Sequence, residues 1–318
     1  MFDFNTQDFE EVVCNLCGAD TMRLIARRSK NGLRVKTHMC TKCSLIYITP
    51  RMTRPCYDLY YKEAYRSDRN SIKGTSSETD LDRNYQNAKR FGKALARKYK
   101  KYFRPGLALD VGSSTGGILA GLKEVLPTLE IKGIEPSEAE ASFANKHGIP
   151  TVRMLFEDFR DDLGGVQNIL CVQSLNHLLD PAGFLRRSHE MLAPDGHIFL
   201  AVKNFRHQVR RAGAFEAGVQ IDHPYMFTPE TLSRLVRRAG FHILDLDIDE
   251  GKTIEEIAAQ KQNGFNIHHI RLVARKGGKD ESLPSKFEWL LTRLQFSRLS
   301  IKLHYLVQYS TRFSFLRK

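Results

Sequence analysis

Between residues 105 and 205 short apolar runs alternate with amphipathic stretches, and each change of period marks an element. Leu107-Ala108-Leu109-Asp110-Val111 reads as a buried strand that breaks at Gly112, after which Ile118 to Leu126 has helical spacing. Ile131-Lys132-Gly133-Ile134-Glu135 predicts a second strand, and Pro136-Ser137 opens a helix through His147. Val152-Arg153-Met154 predicts a short third strand and Asn168 to Gln173 a buried fourth. A helix from Pro181 to Leu192 ends at the turn Ala193-Pro194-Asp195-Gly196, and His197 to Val202 follows as a fifth strand. Thr228-Pro229-Glu230 is a helix start, and Asn266 to Arg275 reads as a late strand. Strands and helices alternating at these lengths predict an α/β domain, a parallel sheet covered on both faces.

Outside this block the pattern changes. Alternation over Leu33 to Met39 predicts a strand near the front, and an aromatic stretch (Tyr57, Tyr60, Tyr61, Tyr65) follows. Residues 66–82 are polar, rich in Ser, Thr and Asp, and read as a linker; 84–102 then has helix-forming composition. A Gly-Gly-Lys-Asp break precedes a tail in which Phe287, Leu290, Leu291 and Leu294 form a partial apolar stripe. The expected organisation is a small N-terminal module with its linker over 1–80, the α/β domain over 81–280 and a basic helical tail over 281–318.

Composition narrows the class. With 42% hydrophobic and 27% charged residues in 318, a disordered chain, a collagen-like repeat and a disulfide-stapled mini-protein are excluded. No apolar run approaches the ~18 residues of a spanning helix. The acidic start MFDFNTQDFEEVV is unlike a secretory signal, so a reducing cytoplasm is expected. The net charge of +13 is concentrated: residues 81–105 carry nine basic and one acidic residue, and 283–318 carry seven and one. The central hundred residues are acidic, which is unlike a protein that spreads basic side chains over a nucleic-acid backbone. The basic segments suit a phosphorylated acceptor, RNA, an anionic membrane or simply solvent. The tail could lie on such a membrane, at its inner face, or pack on its own domain or a second subunit.

Two knuckles, Cys14-Asn-Leu-Cys17-Gly18 and Cys40-Thr-Lys-Cys43, stand 22 residues apart. Each can aim two thiolates at one ion, and together they fill the tetrahedron zinc prefers, which makes a structural and not a catalytic site. Cys56 and Cys171 stand alone and read as small buried hydrophobes.

The loop Gly112-Ser113-Ser114-Thr115-Gly116-Gly117 lets backbone approach a nucleotide, and Glu135 lies 19 residues beyond Gly116, where an acid grips ribose hydroxyls. Ser114 stands at the middle glycine of the dinucleotide fingerprint, and Asp110 ends the strand beside the loop. A carboxylate there repels a pyrophosphate and favours a cationic sulfonium, which selects S-adenosylmethionine over NAD.

In the order LDVGSSTGG, GIEPS, SLNHLLDP, the LAPDG turn and HPYMFTPETL…RAGF, behind the CxxCG…CxxC knuckles, the chain resembles class I S-adenosylmethionine-dependent methyltransferases that carry an N-terminal zinc-ribbon-like module. The resemblance covers roughly residues 14–275 and implies a Rossmann-like seven-stranded sheet. In such a fold Asp110, Gly112, Ser114, Gly116, Glu135 and Pro136 would meet the methionine and ribose, Glu157 and Asp158 the adenine, and Gln173 and Ser174 the end of the fourth strand. The resemblance points to a small or carbohydrate-type acceptor, such as a sugar nucleotide or a surface-polysaccharide precursor. Asn168 and Asn176 depart from the usual aspartate and glutamate at their positions.

Methyl transfer asks the enzyme mainly for alignment and, where the nucleophile needs one, a base, whether carbon, oxygen or nitrogen is methylated. His177, directly after the fourth strand, and His223, before the Thr228 helix, are the candidates, with Tyr225 a third. The rival functions are an RNA methyltransferase that holds RNA with the module and the basic helix, and a binding protein that keeps the fold without the chemistry.

Overall fold

The computed structural model describes residues 3–63, 77–160, 165–250, 252–265, 268–277 and 286–309. The front of the chain gives strands β1 (Phe9–Glu10), β2 (Met22–Arg28), β3 (Arg34–Cys40), β4 (Ile46–Ile48) and β5 (Arg51–Met52), then helix α1 (Arg54–Glu63). Helix α2 (Ser77–Lys98) leads into β6 (Leu107–Val111), α3 (Gly117–Val125), β7 (Glu130–Ile134), α4 (Glu138–Lys146) and β8 (Thr151–Val152). After β9 (Val166–Val172) come α5 (Pro181–Met191), β10 (Leu192–Lys203), α6 (Phe205–Ala212), β11 (Tyr225–Met226) and α7 (Pro229–Arg238). The chain continues through β12 (Phe241–Asp247), α8 (Ile254–Gln262), β13 (His269–Lys276), α9 (Lys286–Gln295) and α10 (Arg298–Tyr309).

The central sheet has seven strands in the order β12-β13-β10-β9-β6-β7-β8. β6 to β10 run parallel, and β13 is antiparallel to both its neighbours. Chain order reverses between β6 and β9, so the crevice beyond their carboxyl ends is where an open α/β sheet takes a ligand. The strands are near-continuous apolar runs because helices cover both faces; Ala108, Leu109, Ile169, Leu170, Ile198 and Phe199 are all buried.

Several boundaries differ from the sequence expectation; the third strand, expected over Val152 to Met154, is Thr151–Val152. The expected linker runs into a helix from Ser77, and its 66–76 portion lies outside the described residues. The Ala193–Gly196 turn is instead an irregularity inside β10, which pairs with β9 at Leu192 and again from His197. Strand β13 begins at His269, and residues 266–267 are not described.

The basic helix α2 is a packed element and not an arm. Its own Phe91, Ala94 and Leu95, and Tyr99 just past its end, are buried. It meets α3 backbone to backbone, since a Cβ on Gly117 would stand 2.5 Å from the Tyr85 carbonyl oxygen. Lys89 and Lys93 pair with Glu124, and Lys98 with Asp247. Asn168, where an aspartate was the usual residue, accepts from Arg104 N at 2.9 Å and donates to Arg104 O at 2.8 Å. A carboxylate could make only the first of those bonds.

The front module and the central domain share structure. β2, β3 and β4 form a sheet whose fourth strand is β11, contributed from beyond the central sheet's parallel strands, in the order β11-β4-β3-β2. Asn15 caps α5 from the first knuckle: its amide donates to Asp180 at 2.8 Å and accepts from Ala182 N at 2.8 Å. Arg51 joins Glu10, the Leu179 carbonyl and the Tyr225 hydroxyl. These anchors all fall in segments that follow β9 or β10, so the module sits on the carboxyl-end rim of the sheet.

In the tail Phe296 and Ile301 are buried in a core with Phe205, Val209 and Phe215, while Leu290, Leu291, Leu294, Leu299 and Leu303 are exposed. The side chain of Phe287 lies outside the described residues. No described helix is long and apolar enough to cross a membrane.

Candidate active site

The glycine loop turns out of β6 on left-handed backbone, with φ near +74° at Gly112 and Gly116 and +49° at Ser114. A serine in that region is strained, and the Glu135 carboxylate offsets the strain. Ser114 N donates to Glu135 Oε2 at 2.9 Å and Ser137 N to Oε1 at 2.9 Å, so one buried acid fixes both the loop and the start of α4. Ser174, just past β9, donates to the Gly112 carbonyl at 3.1 Å and ties the two sides of the crevice. Gln173 beside it also has positive φ, +61°, and donates from its backbone to Ala201 O at 2.6 Å.

Three buried oxygens at this junction, Asp110 Oδ1, Ser113 Oγ and Thr115 Oγ1, have no hydrogen-bond partner among the described residues. Buried polar atoms are costly when unpaired, so their gathering at the loop suits a polar ligand. Burial, and then the nearby Glu135, pushes the Asp110 carboxyl well above the ordinary carboxylate range. A cationic group beside it would reverse that push. The residues therefore fit S-adenosylmethionine, whose sulfonium is such a cation. Of the other expected contacts, Pro136 is exposed, Glu157 is half-buried, and Asp158 is exposed and paired with Arg54 of α1 at 2.8 Å.

On the other side of the crevice the structure brings His177 and His223 together. His177 ends the short 3-10 turn Leu175–His177, its backbone N donating to Ser174 O at 2.9 Å. The two imidazoles meet edge to face, centroids 4.5 Å apart at 87°. Asp222 Oδ2 lies 3.8 Å from His177 Nδ1 and 3.7 Å from His223 Nε2. Tyr61 of α1 places its hydroxyl 2.9 Å from His177 Nδ1. Tyr225 does not join them. Its buried hydroxyl accepts from Arg51 at 3.1 Å and donates to the Leu179 carbonyl at 3.3 Å, and burial pushes it up to about 12, which leaves it a structural strap.

Asp222 and Tyr61 were not singled out as site residues from the sequence. Asp222 stands next to His223, and that adjacency was a usable signal. Tyr61 sits in a run of tyrosines where nothing local separates it from Tyr57, whose hydroxyl is buried on the Ile221 carbonyl.

The four cysteines converge as expected. Their sulfurs lie within 4.8 Å of one another, with Cys14–Cys43 at 3.3 Å and Cys17–Cys40 at 3.6 Å. A tetrahedral zinc with bonds of ~2.3 Å spaces its sulfurs about 3.8 Å apart. The knuckles repeat one backbone pattern: Cys14 N donates to Ala19 O and Gly18 N to Cys14 O; Cys40 N donates to Leu45 O and Ser44 N to Cys40 O. Gly18 and Ser44, at matching positions, have φ near +72° and +67°. Four mostly buried thiols this close cannot all ionise without a cation between them, and the cluster fits a zinc module.

The family described as a methyltransferase domain matches residues 82–246, from within α2 to the end of β12. The chain belongs to that methyltransferase family. Its sheet order, loop and crevice are those of an S-adenosylmethionine-dependent methyltransferase domain. It is similar to a ubiquinone biosynthesis O-methyltransferase of Marinobacter nauticus, 32% identical over 107 residues that span 30% of this chain and 44% of that one. It also resembles the enzyme of the same name from Neisseria meningitidis serogroup A, 27% identical over 153 residues, 43% and 64% of the two chains. The chain thus spans 44% and 64% of the length of these two curated relatives. Among solved structures, the plantazolicin methyltransferase BpumL in complex with SAH overlays with a TM-score of 0.52 at 15% identity, over 70% of this chain and 94% of that one. At that identity the likeness is one of fold.

Proposed function

We propose that the protein moves a methyl group from S-adenosylmethionine to a hydroxyl oxygen of a small-molecule acceptor, with a structural zinc ion in the four-cysteine centre. The observation that carries this reading is the His177–Asp222–His223–Tyr61 cluster. It stands three residues past Ser174, which itself holds the glycine loop. An imidazole ionises near neutral pH, so it can take a hydroxyl proton where an alkyl group is to be delivered. The bound cofactor would supply an activated methyl on a sulfonium that leaves as a neutral thioether. Glu135 would hold its ribose, Asp110 and the Gly112–Gly116 loop its charged end, and Asp158 the adenine side. Open crevice on one face and the module on the other would orient the acceptor over the histidines.

The curated relatives' names favour oxygen as the methylated atom, and none of those named here supports the carbohydrate-type acceptor expected from sequence. The RNA reading loses its main support, because the basic helix α2 is packed and its lysines are paired. For the tail, Phe296 and Ile301 packed on the domain's own core favour the own-domain alternative, while the exposed leucines interleaved with Arg293, Arg298 and Lys302 leave an outer face suited to an anionic membrane. The deciding experiment scans catechols, hydroxybenzoates, sugar nucleotides and RNA for transfer of labelled methyl from S-adenosylmethionine. Transfer to a catechol or hydroxybenzoate oxygen is expected. Transfer only to a sugar or to RNA would overturn the acceptor assignment.

A further inference from the structure

The two histidines of the cluster are not equivalent, and the reason starts in the cysteine module. Lys30, between β2 and β3, donates its backbone N to Val219 O at 2.9 Å and its ammonium to Gln220 Oε1 at 2.5 Å. An ammonium can only donate, so the Gln220 amide must turn its oxygen toward Lys30 and its NH2 toward His223. Gln220 Nε2 lies 3.0 Å from His223 Nδ1. An amide NH2 also only donates, so His223 accepts on Nδ1, and a neutral imidazole that accepts there carries its proton on Nε2. That nitrogen is the one 3.7 Å from Asp222 Oδ2. His223, buried to 3% exposure, is thus set as a donor facing a carboxylate.

His177 has the opposite surroundings. Its Nδ1 lies 2.9 Å from Tyr61 Oη, which lies 3.4 Å from the Asp222 main-chain oxygen, and Asp222 Oδ2 is 3.8 Å from the same Nδ1. A carbonyl only accepts, so the order that satisfies these two contacts is Nδ1–H donating to Tyr61 and Tyr61 O–H donating to Asp222 O. The neutral ring then carries its lone pair on Nε2.

We propose that His177, through Nε2, is the base of the reaction, and that Lys30 is a positioning residue which, by way of Gln220, holds His223 as a hydrogen-bond donor. This rests on the methyl-transfer reading above. The step assigned to this chain is the proton's: the acceptor's O–H bond breaks, its electron pair stays on oxygen, and the proton forms the Nε2–H bond of an imidazolium. Asp222, 3.8 Å from the opposite nitrogen, stabilises that cation. The cysteine module therefore does more than cover the crevice; it decides which histidine can accept a proton. The same relay argues against the trio as a cation's donor set, because a His223 Nε2 that carries a proton cannot ligate.

Imidazole nitrogen NMR of the full-length, zinc-loaded protein tests the assignment without needing an acceptor. His223 is expected to show an acceptor-type Nδ1 and a protonated Nε2, and His177 the reverse. Gln220→Glu, whose carboxylate can only accept from Nδ1, should turn His223 to the other tautomer, and Lys30→Met should leave it a mixture. An unprotonated Nε2 on His223 in the wild type, or no response to Gln220→Glu, would overturn the relay. With a catechol as probe acceptor, His177→Gln should remove the acidic limb of the kcat profile and lower kcat at least 100-fold. His223→Gln should keep that limb with a moved midpoint. The limb surviving in His177→Gln and vanishing in His223→Gln would refute the base assignment. If the tautomers are as expected but no methyl moves to a catechol, it is the acceptor reading that fails.

Discussion

The two sides of the crevice are built in different ways. The proposed cofactor side rests mainly on two contiguous pieces, 107–117 and 130–137, whose geometry is set by backbone conformation and by one carboxylate between them. The proposed acceptor side is assembled from Lys30, Tyr61, His177 and 220–223, which meet only because the front module lies on the rim. The first should survive damage to the module, and the second should not.

Removing the metal gives the largest expected separation of the two. Zinc binding to a small four-cysteine module contributes on the order of 10 kcal/mol to its folding. Cys40→Ser with Cys43→Ser should lower bound zinc from one per chain to none, by metal analysis, and abolish methyl transfer. Calorimetry on the same variant should find S-adenosylmethionine affinity within about threefold of wild type, because Glu135 and not the module anchors the loop. Loss of both activities together would mean that the two sides are one folding unit.

Glu135→Ala tests the reverse. It removes the acceptor of two backbone bonds and the expected ribose contact, and should weaken cofactor binding by about 100-fold, near 3 kcal/mol. Zinc content and the imidazole shifts of His177 and His223 should not change. Unchanged cofactor affinity in this variant would remove the basis of the cofactor assignment.

A narrower effect is expected from His177→Ala, on the chemical step alone: kcat lower by roughly two to four orders of magnitude, as for loss of a general base, with the cofactor dissociation constant intact. A parallel loss of cofactor affinity would make His177 part of the cofactor side instead.

The smallest effect belongs to Asp110. Its folded carboxyl holds the proton to higher pH than in the unfolded chain, so it detracts from stability as pH rises past the ordinary aspartate value. Asp110→Asn should therefore raise the melting temperature by a few degrees at pH 7. A sulfonium favours the ionised form, so in the pH range where the free protein keeps this carboxyl protonated, binding S-adenosylmethionine should release a proton and binding its thioether product should not. Calorimetry in buffers of different ionisation enthalpy reads that difference, and the asparagine variant should lose it along with a severalfold preference for the sulfonium. Equal proton release by both ligands would separate Asp110 from the charged end of the cofactor.

Much of the fold was legible because its signals are local. The β6–loop–α3 unit shows as an apolar run, glycines where φ must be positive, and helical spacing. The knuckles show because a CxxC turn carries its own hydrogen-bond pattern, which the structure repeats at Cys14 and Cys40. Where the sequence misled, a distant partner had overridden a local preference. Pro194-Asp195-Gly196 looks like a turn, but pairing with β9 at Leu192 and again from His197 draws it into β10 as an irregularity. The lysines of α2 look like an anion-binding face until Glu124 and Asp247 appear beside them. Tyr225 looked chemical and is a strap, because Arg51 lies 174 positions away in sequence and 3.1 Å away in space.

By itself the sequence determined the alternating α/β order, the left-handed glycine turn, the acid that ends β7 and the four-sulfur centre. Each of these depends on bonds between residues near in the chain or on a spacing that one ion can read. Only the tertiary structure decided that β11 completes the module's sheet and that the module rests on the rim. It also decided that one lysine there, through a single amide, reaches His223. Hydrogen-bond donors and acceptors have direction, and which nitrogen of an imidazole holds the proton is fixed by what faces it, which no local pattern encodes.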